Sequence, residues 1–213
     1  MLRRHCLSVL IALSGLGSLP LLGESNFAVS YAETLAQQVT EAIEKKDEAR
    51  FDLASNKLIA LLYAKKSNEV HKRVGELLVQ FDIQWALPVM VECMDQTESI
   101  WTQQIPKEFP LTTAVVAFGR PAVPALLEEM SGGKVGAYRA SMLGAVLVGI
   151  VGTEEAEKLV SERRSVVAGK AEVEGLALVH QWIVEAGTTS IFLRIDRSKL
   201  PVPKKHLWSP DPE

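Results

Sequence analysis

Cysteine is nearly absent: the 213 residues hold two, Cys6 and Cys93. If the leading stretch is removed, Cys93 remains alone. No internal disulfide can then form, and packing must hold the chain together. Cys93 lies in VECMD on a predicted helix and reads as a half-buried structural thiol rather than a nucleophile. Histidine is sparse as well, with four in the chain. Once the leading stretch with His5 is removed, His71, His180 and His206 are far apart, without H-x-x-H or H-E-x-x-H spacing, so no metal site is expected. A net charge of −3 gives no basis for nonspecific nucleic-acid binding. The glycine-rich run GAVLVGIVG at 144–152 has the wrong spacing for a dinucleotide fingerprint or a P-loop, and no Lys-Ser/Thr follows it. It is also too short to span a bilayer. It reads as a tightly packed helix in which glycine admits a neighbour. The carboxylate pairs Glu128–Glu129 and Glu154–Glu155 are adjacent on predicted helices, so they diverge by about 100° and form no catalytic dyad. No catalytic residues and no cofactor are expected.

What is present begins with MLRRHCLSVLIALSGLGSLPLLGES. Arg3 and Arg4, an apolar run over 7–22 and then small polar residues have the layout of a secretory signal peptide. The segment is assigned to residues 1–25, with its end uncertain to residue 30. A retained membrane anchor is the other reading, but Gly15, Gly17 and Pro20 weaken it as a spanning helix. The mature chain is therefore expected to be exported, periplasmic or secreted, with no membrane span. Its composition, 47% hydrophobic and 23% charged, is ordinary for a soluble protein.

The body is marked by FGRPAVPALLEEM at 118–130. Proline is tolerated in the first turn of a helix and disruptive further in. Gly119 should therefore close the apolar helix over 111–118, with Pro121 and Pro124 both in the first turn of the next. Val123, Leu126, Leu127 and Met130 then share one face. Pro88 stands 36 residues before Pro124, and Leu87, Met90 and Val91 repeat the apolar triplet. Gly152 stands 33 residues after Gly119, with Ala156, Leu159 and Val160 in the same register. Helix-compatible runs at 70–81, 111–118 and 136–150 precede these three second helices. A further hairpin is expected over 31–45 and 48–65, with Leu35, Val39 and Ile43 facing Leu58, Ile59 and Leu62. Another helix is expected over 170–186, burying Leu176, Val179 and Ile183. TTSIFLRID at 188–196 reads as a short strand or an irregular cap.

These blocks, together with NEVHKRVGELLVQF–DIQWALPVMVE and VGAYRASMLGAVLVGIVGTEEAEKLV, resemble HEAT repeats of the short, phycobilisome-lyase type. Arg73 and Arg139 fall near that family's arginine, and Phe118–Gly119 and Val151–Gly152 match its corner. The resemblance covers roughly residues 69–163, more loosely to 186. The corner at Phe81–Asp82 lacks the glycine, and the middle unit's first helix is short. The resemblance implies an all-α, right-handed α-solenoid of about four to five antiparallel hairpins over 31–193 that binds other macromolecules. It carries over no catalytic residues. Stacked hairpins bury a stripe that one hairpin alone cannot.

In this register the exposed sides of the second helices carry Glu92, Asp95, Glu128, Glu129, Glu155 and Glu162. They form a candidate surface for a protein partner with a basic segment. Glu129 is expected to be exposed there, so that its truncation is nearly neutral. The tail at 194–213 is basic, Pro-rich and extended, with five basic residues against three acidic ones. It is expected either to lie over those acids or to engage a second surface through Trp208. The expected function is a non-catalytic interaction or scaffold module. The alternatives are a lyase-like or other enzyme accessory holding a substrate in its groove, and a membrane-tethered structural envelope protein.

Overall fold

A computed structural model describes residues 24–64, 67–96, 109–132, 135–186, 198 and 200–209. Most of the expected signal peptide and the 188–196 segment lie outside the described residues. Among them the chain is all-α, as the periodicity requires. The described residues form nine α-helices in chain order: α1 (Glu24–Lys45), α2 (Glu48–Ala64), α3 (Asn68–Gln80), α4 (Leu87–Cys93), α5 (Pro110–Phe118), α6 (Val123–Met130), α7 (Ala137–Val151), α8 (Thr153–Val166) and α9 (Lys170–Ala186). Helix α1 starts at Glu24, seven residues earlier than expected. Its stripe of Ala28, Ala32, Leu35, Ala36, Val39 and Ala42 is buried, and the alanines let α2 approach closely.

The odd-numbered helices pack each on the next from α1 to α9, and α2, α4 and α6 form a second row. Helix α8 closes against α7 and α9. The core runs between the rows, where Leu58, Leu62, Leu78, Met90, Leu111, Leu126, Val160 and Ile183 are fully buried. The expected triplets hold their register. Leu87, Met90 and Val91 are all buried, whereas Leu126, Ala156 and Val160 are buried and Leu127 and Leu159 are partly so.

Three corners carry a residue of positive φ. Gly119 and Gly152 take φ values of 70° and 86° with extended ψ, a region open essentially to glycine alone. Asp82 stands at the corresponding corner with φ 50°, which aspartate tolerates better than most residues. After the first two corners comes a 3₁₀ turn, Gln84–Ala86 or Arg120–Ala122. Pro121 therefore sits in that 3₁₀ turn and only Pro124 in the first turn of α6. The expectation of both prolines in one α-helical turn is corrected accordingly.

No single helix among the described residues is long and apolar enough to cross a membrane. Helices α5 and α6 reach that length and composition only as a pair bent by 112°. Their apolar faces, including Leu111, Val115, Leu126 and Met130, are buried in the core.

The tail does not lie on the second-helix acids among the described residues. Residues 200–209 return to the other end of the chain and dock at the α3–α4 corner. The Lys204 amide donates to the Gln80 carbonyl at 3.0 Å, and the Lys205 ammonium pairs with Asp82 at 2.8 Å. Trp208 stacks on Phe51 of α2 with ring centroids 4.9 Å apart. The second of the two expectations for the tail, with Trp208 as the apolar anchor, is the one observed.

Candidate functional site

The six acids do not share one environment. Asp95 and Glu129 converge on Arg139, the arginine near the start of α7. One guanidinium nitrogen of Arg139 pairs with Asp95 at 2.6 Å and another with Glu129 at 2.8 Å. The second of these nitrogens also donates to the carbonyls of Val91 and Glu92, at 3.1 and 3.2 Å. Those carbonyls belong to the last turn of α4, where the helix dipole favours a cation. Arg139 thus ties α4, α6 and α7 together. Its side chain is 16% exposed, against 28% for Asp95 and 33% for Glu129. Burial alone would loosen its proton, but the two carboxylates outweigh burial and hold its pKa above the ordinary arginine value.

Glu129 is therefore half-buried and bonded, and the expectation of a freely exposed side chain is corrected. Adjacent positions on a helix diverge, so Glu128 points to solvent while Glu129 turns inward. Glu155, in the first turn of α8, takes a two-pronged bond from Arg120 at 2.8 and 2.9 Å, which links that helix to the preceding corner. Glu92 is exposed but accepts the Tyr63 hydroxyl at 2.5 Å. Glu162 is exposed and faces Lys158 one turn back at 3.9 Å. Among the described residues Glu128 has no ion pair. Glu92, Glu128 and Glu162 are thus the acids that face solvent.

An open depression of about 680 Å³ runs along α8, lined by Gly152, Glu154, Glu155, Lys158, Leu159 and Glu162 among others. It presents carboxylates around an apolar patch at Leu159, a chemistry that suits a basic side chain with an aliphatic stem. Two further expectations meet their geometry nearby. A β-carbon on Gly144 would stand 2.9 Å from the Trp182 ring and 3.2 Å from Ile183, so this glycine admits α9 against α7. Cys93 is fully rather than half buried, because α4 presents it to the core between Val91 and Met94.

The other arginine of the repeat pattern, Arg73 on α3, forks onto Glu33 of α1, with one of its nitrogens 2.9 Å from the carboxylate. Its hydrogen bonds with Glu33 hold the guanidinium pKa up and the Glu33 pKa down. Both arginines therefore join helices that lie apart in the sequence. Sequence reading placed these arginines but missed the pairs they form, since their partners lie 40 and 44 residues away for Arg73–Glu33 and Arg139–Asp95. The docking corner for the tail was also missed. Its one visible signal was the aspartate standing where the corner pattern has glycine.

No family model, curated protein or solved structure matches the chain.

Proposed function

We propose that the chain is an exported, non-catalytic α-solenoid of HEAT-like hairpins that serves as a protein-interaction or scaffold module. The observation that carries this reading is the recurring corner. A residue of positive φ at Asp82, Gly119 or Gly152 stands between the two helices of each of three hairpins, and an apolar triplet begins four or five residues after each corner. Nearest-neighbour packing of the odd-numbered helices supports the same architecture. Such an array offers a long surface of second helices, and on it Glu92, Glu128 and Glu162 face solvent. The partner is a protein with a basic segment that lies along α4, α6 and α8. Asp95, Glu129 and Glu155 contribute field there while held by Arg139 and Arg120.

The test is capture of partners from the compartment to which the chain is exported. Wild type is compared with the chain carrying Glu92→Lys, Glu128→Lys and Glu162→Lys. Screening shortens from about 10 Å at 0.1 M salt to about 3 Å at 1 M. A partner held by wild type should be lost in the charge-reversed chain and released by high salt. A partner retained by both chains at 1 M salt would remove this face from the function.

A further inference from the structure

The docked tail occupies a site with several separate recognition features. Helix α3 ends at Gln80; the carbonyls of Leu77, Leu78 and Val79 accept the amides of Phe81, Ile83 and Asp82, which leaves that of Gln80 to a donor from elsewhere in the chain. The Lys204 amide caps Gln80 at 3.0 Å, and the His206 ring donates from Nε2 to the Phe81 carbonyl at 2.6 Å. The tautomer follows from the other ring nitrogen, Nδ1, which accepts the Trp208 amide at 3.2 Å. The Asp82 carboxylate is 2% exposed and holds Lys205 at 2.8 Å, with the Gln84 amide at 3.0 Å on its other oxygen. Phe51 receives Trp208 face-on and His206 edge-on, each at 4.9 Å, and Trp85 lies edge-on at 5.7 Å on the same ring. The site thus reads lysine, histidine and tryptophan at 205, 206 and 208, while Leu207 between them points to solvent.

The position of this site matters as much as its chemistry. It is built by α2, the end of α3 and the turn before α4. The tail leaves from α9, which packs on α6, α7 and α8 at the other end of the array. The 13 residues between Ala186 and Leu200 reach at most about 45 Å when extended. Each copy therefore carries a segment at one end and its receptor at the other. Such complementary ends can meet within one copy or head-to-tail between copies.

We propose that the groove over Phe51, Asp82 and Trp85 is a peptide-recognition site that takes the C-terminal segment of a second copy, linking chains head to tail when the internal contact is open. The internal contact has the advantage of an effective concentration in the millimolar range, so dilute wild type is monomeric. This inference goes beyond the proposed function and does not depend on the acidic face.

Two full-length variants test it. In one, Asp82→Arg blocks the groove and leaves the tail intact. In the other, His206→Ala with Trp208→Ala disables the tail and leaves the groove intact. Each alone should run as a folded monomer by circular dichroism and light scattering. Their mixture should form a 1:1 complex, because the intact tail of the first fits the intact groove of the second. A mixture of folded monomers would overturn the proposal. A second readout needs no groove variant: a labelled peptide of residues 200–209 is titrated onto the tail-disabled chain. Saturable binding is expected, weakened at least about tenfold by Lys205→Glu in the peptide. Absent binding, or equal affinity for both peptides, would also overturn it.

Discussion

Replacing Arg139 by methionine keeps most of the side-chain volume and removes the charge. In the folded protein this strands the Asp95 and Glu129 carboxylates and two carbonyls at the end of α4. Breaking a fully buried ion pair in this way costs about 3–5 kcal/mol. Here the carboxylates are 28% and 33% exposed, so water can partly replace the guanidinium. A loss of about 2–3 kcal/mol is therefore expected for Arg139→Met. For a chain of this size that corresponds to a drop of roughly 4–12 °C in Tm. Urea unfolding followed by circular dichroism measures the first quantity, and a thermal melt the second. Arg139→Lys should fall between wild type and the methionine variant, because one ammonium cannot span four acceptors spread over α4, the turn after it and α6. A methionine variant within about 0.5 kcal/mol of wild type, the range of ordinary surface substitutions, would refute the role of Arg139 as the tie between α4, α6 and α7.

Other perturbations follow from the same geometry. Glu129→Ala should cost about 1–3 kcal/mol in urea unfolding, since it removes a charged hydrogen-bond partner of Arg139, whereas Glu128→Ala should stay within about 0.5 kcal/mol; equal effects would mean that the helix face is misassigned. Gly144→Ala adds a methyl 2.9 Å from Trp182, at an overpacking cost of about 1–3 kcal/mol against about 1 kcal/mol of gained helix propensity, so a stabilised variant would contradict the α7–α9 contact. Burial alone would raise the Asp82 pKa, but hydrogen bonds from Lys205, Gln84 and Ser209 outweigh it and hold the carboxyl below its ordinary range. Its stabilising effect is then complete above the unfolded value of about 3.9 and lost as the pH falls through the lower folded value. The amide resonance of Lys204, which bonds the Gln80 carbonyl and not the His206 ring, should keep its docked position down to about pH 4 and move only below it; a Lys204 amide that moves near neutral pH would contradict the Asp82–Lys205 contact.

The helices were legible because their signals are local. Apolar residues recur at helical spacing, glycine stands at two corners, and proline marks the starts of α4 and α6. Leu176, Val179 and Ile183 are buried as the stripe on α9 requires. The start of α1 was not legible, since an alanine-rich stripe carries little hydrophobic contrast. The charges were read least well. Sequence register puts Glu128 and Glu129 side by side, but only the fold brings Arg139 to one of them and not the other. Asp82 shows the same limit. Its departure from glycine was visible, but its meaning depends on Lys205, which lies 123 residues away. Local pattern gives elements and registers; pairings between distant charges need the packed chain.

A partner-binding array requires that each unit be held mainly by its neighbours, so that damage in one unit stays near it. Hydrogen exchange on Leu126→Ala tests this most directly, because Leu126 is fully buried in α6, which packs on α4, α7 and α9. The substitution removes about 2–5 kcal/mol of core stability. Exchange should rise most in α6 and in α4, α7 and α9, which pack on it, while α1 and α2 keep their protection. A uniform rise across α1 to α9 would show one indivisible core and contradict the repeat architecture on which the proposed function stands.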